Sequence, residues 1–97
     1  KVKPFFENNK ILIKAMTVVK NGSEIEYIIE VPSAIGAVNY YCRAKSKKKI
    51  NDTDLTGVFL AGQMKKLPVI FITNGELSKK AKEMLNTDLQ NMKVVAI

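Results

Sequence analysis

One short run of residues constrains the fold of this 97-residue chain more than any other. Val69-Ile70-Phe71-Ile72 is continuously apolar, follows Leu67-Pro68 and precedes Thr73-Asn74-Gly75. An apolar run of this length without alternation is typical of a strand that is covered on both faces. Such strands usually lie parallel to a neighbour that is reached through a helical crossover. We therefore expect an α/β domain in which residues 69–72 form a central strand.

The first half of the chain has the composition of an antiparallel meander. The segments Ile11 to Lys20 and Ser23 to Val31 are rich in β-branched residues. Between them, Asn21-Gly22 supplies the positive backbone angles of a tight hairpin turn. Pro32-Ser33-Ala34-Ile35-Gly36 interrupts the pattern, and a third strand is predicted from Ala37 to Lys45.

Two helices are predicted in the second half. Asn51 is a suitable N-cap for the first helix and Ser78 for the second, and Leu67-Pro68 ends the first. The residues expected to face the core recur at helical spacing: Leu55, Val58, Phe59 and Gly62 in the first helix, and Ala81, Met84 and Leu85 in the second. Met64 is also expected to fill the core. With Lys93 to Ile97 as a last strand, the order is β-β-β-α-β-α-β, a mixed central sheet with flanking helices.

The length fits one compact domain spanning residues 1–97. Lys1 to Lys10 is expected to be an irregular or briefly helical lead-in whose Phe5-Phe6 pair plugs one edge of the core. Because the first residue is Lys rather than Met, we expect the chain to be a fragment of a longer protein with a segment upstream.

The composition excludes several kinds of chemistry. The chain has one Cys and no His. Zinc sites built from Cys and His, intrachain disulfides and Ser-His or Cys-His nucleophile pairs are therefore excluded. Cys42 alternates with Val38 and Tyr40, so we expect it to be a small buried apolar residue. No apolar run approaches the about 18 residues of a membrane-spanning helix and no signal peptide is recognisable, which predicts a cytoplasmic location and no membrane contact.

The charge balance favours anionic partners. Sixteen basic and nine acidic residues give a formal net charge of +7, and all of the basic residues except Arg43 are Lys. Lys attracts a phosphate backbone as a point charge, whereas Arg is better suited to bidentate contacts with base edges. The composition thus favours contact with the backbone of DNA or RNA over recognition of sequence, although a basic surface also keeps a protein soluble.

The predicted third strand leads into a strongly basic turn. Alternate residues of a strand point to the same side, so Asn39, Tyr41, Arg43 and Lys45 share one face. Four cations then occur within five residues: Lys45, Lys47, Lys48 and Lys49. This turn either contacts phosphates in a salt-dependent manner or is simply solvated.

The order of elements and several motifs resemble the PD-(D/E)xK nuclease superfamily, and more narrowly its Mrr-type restriction endonuclease branch. The resemblance rests on Glu26 after Asn21-Gly22, on the triplet Tyr41-Cys42-Arg43, and on the segment from Val69 to Ser78 that leads to Ala81. It covers residues 20–97. It implies a restriction-endonuclease-like fold, and a Mg²⁺ ion that two carboxylates hold beside a catalytic Lys.

The chain departs from that pattern at the catalytic positions. Tyr41 stands where the resemblance implies a carboxylate, and Tyr is a poor ligand for Mg²⁺. Arg43 stands where it implies Lys, and Arg remains protonated and cannot act as a base. If the alignment shifts by two residues, Arg43-Ala44-Lys45 supplies a Lys but no acid. We therefore expect a degenerate catalytic motif at Glu26, Tyr41 and Arg43.

Several alternatives follow for these residues and for the function. Glu26 is either a metal ligand or an exposed carboxylate paired with Lys across the hairpin, and Tyr41 and Arg43 either bind phosphate or pack at a covered edge. We expect an inactive nuclease-fold module without a cofactor, whose contacts to nucleic acid are the following: Arg43, Lys45, Lys47, Lys48 and Lys49. One alternative is a self-association or interaction domain, forming a homodimer or contacting an upstream domain. Another is an active Mg²⁺-dependent endonuclease.

Overall fold

In the computed structural model, residues 2–89 and 91–97 are described. The elements along the chain are α1 (Val2–Asn8), β1 (Leu12–Lys20), β2 (Glu24–Val31), β3 (Val38–Lys45), β4 (Lys49–Ile50), α2 (Asp52–Met64), β5 (Val69–Thr73), β6 (Glu76–Leu77), α3 (Lys79–Thr87) and β7 (Met92–Ala96). The predicted order is confirmed, with α1 and the two-residue strands β4 and β6 added to it. None of the helices in these two ranges is long and apolar enough to cross a membrane.

The main sheet is mixed and has the strand order β1-β2-β3-β5-β7. Strands β1, β2 and β3 form the predicted antiparallel meander, and β5 and β7 run parallel to β3. All five residues of β5 are buried, as the unbroken apolar run predicts. The carboxyl ends of β3, β5 and β7 therefore lie at one end of the sheet, where α2 and α3 begin.

Each face of the sheet has its own apolar cluster. On one face, Tyr41 and Phe71 pack with Leu55 of α2 and Ala81 of α3. On the other face, Phe6 of α1 packs with a second group, namely Tyr27, Ile29, Cys42, Ile70 and Ile72. Within the predicted Phe pair, Phe6 is the buried member, and its ring meets that of Tyr27 edge-on with centroids 5.1 Å apart.

Helix α2 begins and ends close to where the sequence predicts. The Asn51 side chain accepts a hydrogen bond from the Asp54 backbone N–H at 2.8 Å, and Asp54 accepts one from the Asn51 N–H at 3.0 Å. Gly62 faces Val69, and a side chain at this position would collide with Val69. The prediction that Met64 fills the core is wrong, because its side chain is 85% exposed. Met64 lies two residues beyond Gly62, which rotates it away from the buried face by about half a turn.

A second, two-stranded sheet joins β4 to β6 and was not predicted. The Glu76 N–H donates to the Lys48 carbonyl at 3.0 Å and the Ser78 N–H donates to the Ile50 carbonyl at 2.8 Å. Gly75 lies so close to the Lys47 carbonyl that no side chain would fit there. Strands of two residues are too short to produce a recognisable alternation. Their pairing brings the turn after β3 beside the start of α3.

A charge-paired cluster as the candidate functional site

The candidate site lies at the carboxyl end of β3, on the face that α2 covers. Across the β2–β3 pair, Glu26 is opposite Arg43 and Glu24 is opposite Lys45. Tyr41 lies one step further along the same face, with its ring in the core. The register of the β2–β3 pair therefore places two carboxylates beside two cations without any contribution from a loop.

Arg43 is the centre of the site. Its Nη1 donates to Glu24 Oε2, and its Nε donates to the Tyr41 hydroxyl at 3.0 Å. Nη2 also donates to that hydroxyl and lies 3.4 Å from Glu26 Oε1. Only 13% of the side chain is exposed. Burial disfavours the charged guanidinium, but its contacts with Tyr41 and Glu24 outweigh this and raise the pKa of Arg43, so its positive charge is fixed.

Tyr41 acts as a neutral hydrogen-bond donor within the cluster. Its hydroxyl donates to Glu26 Oε1 at 2.7 Å while its ring is fully buried. Burial, reinforced by the bond to Glu26, raises the pKa of Tyr41 to about 12, despite the nearby Arg43. The phenol therefore keeps its proton and links Glu26 to the guanidinium.

Asp54, from the first turn of α2, extends the cluster toward the turn. The Lys45 ammonium lies 3.4 Å from Glu24 Oε1 and 3.1 Å from Asp54 Oδ1, and Lys47 Nζ lies 2.8 Å from Asp54 Oδ2. Burial alone would raise the pKa of Asp54. The hydrogen bonds from Lys47, from the Asn51 backbone and from Lys45 overcome this effect and bring the pKa to about 2.

These side chains form one continuous series of contacts, which we call the charge chain: Glu26, Tyr41, Arg43, Glu24, Lys45, Asp54 and Lys47. Its three carboxylates and three cations alternate and cancel in formal charge. Among residues 2–89 and 91–97, no buried side-chain nitrogen or oxygen atom is left without a partner. No group of three or more His, Cys, Asp or Glu residues in those ranges is arranged to hold a metal ion.

The predicted site residues thus separate into two groups. Arg43 and Lys45 belong to the charge chain, and Lys47 connects it to the surface. Lys48 and Lys49 are exposed and make no ion pair within the described part of the chain. Glu26 contacts Tyr41 and Arg43 rather than a Lys across the hairpin.

The sequence analysis missed Glu24 and the role of Asp54. A signal for Glu24 was present: it shares a strand face with Glu26, and the Asn21-Gly22 turn fixes the hairpin in which both occur. The register between β2 and β3 was needed to place it opposite Lys45. Asp54 could not be placed in the site from the sequence, because its contacts with Lys45 and Lys47 form only after the chain has folded.

Two further cations, Lys79 and Lys80, lie beside the basic turn. The β4–β6 pairing places the start of α3 next to Ile50. Both side chains are exposed, and Lys80 Nζ lies 3.8 Å from Asp52. We call the combined set the basic surface: Lys47, Lys48, Lys49, Lys79 and Lys80. It adjoins the charge chain at the same end of the sheet and shares Lys47 with it.

Comparisons with known proteins agree with this architecture. No protein-family profile matches the chain, and no curated protein matches it by sequence. Among solved structures, the chain is similar to the DNA modification-dependent restriction endonuclease AspBHI, with a TM-score of 0.57 and 7% sequence identity. The superposition covers 89% of this chain and 24% of AspBHI, so the chain spans about a quarter of that enzyme's length. The likeness shows that the chain has a restriction-endonuclease-like fold.

Proposed function

We propose that this domain binds the phosphate backbone of DNA or RNA through the basic surface and does not cleave it. We base the proposal on one observation, the internally neutralised charge chain. Because the buried cations are balanced by buried carboxylates, the surplus positive charge is carried by exposed lysines. Within the restriction-endonuclease-like fold we assign the chain to the Mrr-type branch, on the basis of the segment from Val69 to Ser78.

The absence of cleavage follows from the chemistry of Arg43. A hard divalent cation needs several carboxylate oxygens, but Glu26 Oε1 is already bonded to Tyr41 and lies 3.4 Å from the guanidinium. Glu24 Oε2 is bonded to the guanidinium, and Glu24 Oε1 lies 3.4 Å from Lys45 Nζ. Arg does not lose its proton in a protein. Its positive charge therefore stays beside the carboxylates, and it cannot act as the base that activates a water molecule. The residues present therefore do not fit a Mg²⁺ ion.

The proposed binding to nucleic acid rests on the basic surface. Four exposed lysines outside the charge chain, together with Lys47 at its end, attract a polyanion and release counterions when they contact phosphates. Because the contacts come from Lys rather than Arg, we expect little dependence on sequence. If about four phosphates are contacted, the affinity for duplex DNA should fall with a log–log salt slope of roughly −3.6.

Charge reversal at the turn tests the binding directly. We expect Lys48→Glu combined with Lys49→Glu to weaken binding to a labelled duplex by at least about tenfold in fluorescence anisotropy at low salt. Lys47 is left unchanged, since a carboxylate there would repel Asp54 and disturb the charge chain. The matched control, Lys65→Glu combined with Lys66→Glu, makes the same change in net charge at the carboxyl end of α2.

The control should weaken binding by less than about threefold, through net charge alone. Equal losses in the two double variants would remove the basic surface from the proposal. A complex that is insensitive to salt would contradict contact with the phosphate backbone.

A further inference from the structure

Strand β1 is exposed to solvent along its whole length. Within residues 2–89 and 91–97 it forms one edge of the sheet and pairs with β2 alone, and all nine of its residues are exposed. Its large apolar side chains are between 39% and 58% exposed: Leu12, Ile13, Met16, Val18 and Val19. The opposite edge, β7, has five residues and begins at the buried Met92. A long edge that combines unpaired backbone groups with apolar side chains is a template for another strand.

We propose that β1 pairs antiparallel with β1 of a second copy of this chain, across a two-fold axis at Met16. The two five-stranded sheets then join into one continuous sheet. Such an interface is self-complementary, as closed dimers require, because the same strand supplies both sides. It is independent of the basic surface.

The length and the charges of β1 both select this register. Met16 is the middle residue of Leu12–Lys20, so an axis there gives the longest overlap. It places Lys14 opposite Val18 and Lys20 opposite Leu12. An axis at Thr17 would instead place Lys14 opposite Lys20, and like charges directly opposite each other destabilise a strand pair.

The middle of β1 is regular enough to pair on its outer side. The register with β2 shifts between Ile13 and Ala15 and again between Val18 and Lys20. The four residues between these irregularities, 15–18, are uncharged. Because bulges weaken edge pairing outside this stretch, the contacts nearest the axis contribute most.

The antiparallel arrangement also reduces repulsion between two basic chains. The Lys20 end of β1 lies at the same end of the sheet as the basic surface, since Glu24 is opposite both Lys20 and Lys45. Antiparallel pairing places the two basic surfaces at opposite ends of the joined sheet. Charges separated by more than about 10 Å are largely screened at 0.1 M salt.

The exposed area predicts a weak dimer. Complete burial of one such aliphatic side chain removes on the order of 100 Å² of apolar surface. Five half-exposed side chains therefore offer roughly 250 Å² per copy, compared with about 800 Å² per partner in a stable interface. Hydrogen bonds between the two β1 strands must supply the rest of the binding free energy. We therefore expect a dissociation constant of tens to hundreds of micromolar.

Sedimentation equilibrium of the protein without nucleic acid tests the association. Between about 10 µM and 1 mM, in about 0.3 M NaCl, the unmodified chain should change from monomer to dimer. Met16→Lys places two ammonium groups against each other at the axis and should weaken association at least tenfold. Met64→Lys makes the same change at an exposed Met on α2 and should leave association unchanged.

A monomer at every concentration would overturn the proposal. A dimer that persists in Met16→Lys, or that weakens equally in Met64→Lys, would also overturn it, since the contact would then lie elsewhere. None of these three results bears on binding through the basic surface, which is measured with nucleic acid.

Cross-linking tests the register. Directly opposite residues of an antiparallel pair have Cα atoms about 4.5–5.5 Å apart, which a disulfide can span. Met16→Cys should therefore form a covalent dimer under mild oxidation, detected on non-reducing gels, and Met64→Cys should not. The native Cys42 is fully buried and burial raises its thiol pKa to about 12, so it does not compete. Equal cross-linking of the two variants would contradict an axis at Met16.

Discussion

The two halves of the cationic segment from Arg43 to Lys49 differ in what surrounds them. Arg43 and Lys45 lie on β3, opposite two glutamates of β2, and are 13% and 21% exposed. Lys48 lies in the turn beyond β3 and Lys49 begins β4, and both are exposed to solvent. The same kind of charge therefore stabilises the fold in the first half and is free for a ligand in the second. Counting cations in a sequence does not reveal how many remain available.

The largest effect should come from removing Arg43. Arg43→Ala leaves the largely buried Glu24 and Glu26 without their main cation, and breaking such a buried pair costs about 3–5 kcal/mol of unfolding free energy. Lys49→Ala should stay within about 0.5 kcal/mol. Urea denaturation followed by circular dichroism measures both. Similar losses of unfolding free energy in the two variants would mean that Arg43 and Lys49 contribute equally to stability, which would contradict the difference between the two halves.

The next largest effect on stability is expected at low pH. The pKa of Asp54 is lowered to about 2 in the folded chain from an ordinary value of 3.8. The stabilisation is therefore complete above about pH 5 and is lost as the pH falls through 3.8 toward 2, amounting to about 2 kcal/mol. Unfolding free energies measured from pH 7 to pH 2 should show this loss in the unmodified chain. In Asp54→Asn the acid slope should be shallower, and an unchanged slope would contradict the assignment.

A smaller effect is expected from the Tyr41 hydroxyl. Tyr41→Phe keeps the buried ring but removes the link between Arg43 and Glu26, at a cost of about 1–2 kcal/mol. Tyr40→Phe is the matched control on the opposite face of β3, and it should change the unfolding free energy by less than about 0.5 kcal/mol. Equal changes in chemical denaturation would show that the hydroxyl of Tyr41 plays no special part.

The smallest effect on stability should accompany a clear effect on binding. Lys48→Ala combined with Lys49→Ala should leave the unfolding free energy within about 0.5 kcal/mol. The same variant should reduce the log–log salt slope of duplex binding by about two, one for each lost phosphate contact. Anisotropy titrations at several salt concentrations measure the slope. An unchanged slope would place the phosphate contacts on other residues.

Local patterns in the sequence were enough to predict most of the fold. Asn21-Gly22 fixed the hairpin, the apolar run at residues 69–72 identified the central strand, and Asn51 and Ser78 marked the starts of two helices. Each signal acts over a few residues, so it can be recognised without a three-dimensional structure. The prediction for Met64 failed because this residue is rotated by about half a turn from Gly62, which lies on the buried face of the same last turn of α2.

The candidate site could not be predicted in full from the sequence, because it is made by contacts between residues that lie far apart along the chain. The sequence placed Tyr41, Arg43 and Lys45 on one strand face, but their partners come from β2 and from α2. Whether Arg43 faces a phosphate or Glu24 is decided by the register between two strands. Likewise, Lys79 joins the basic surface only through the pairing of two-residue strands, β4 with β6.

One measurement tests the central claim most directly: incubation of labelled duplex DNA with the purified protein and Mn²⁺ or Mg²⁺, with binding and strand integrity followed in the same samples. The closed charge chain predicts that the unmodified chain forms a salt-sensitive complex in which the DNA stays intact. Metal-dependent cutting by the unmodified chain that disappears in Glu24→Gln or Glu26→Gln would contradict it, since those carboxylates would then be holding a metal ion rather than Arg43.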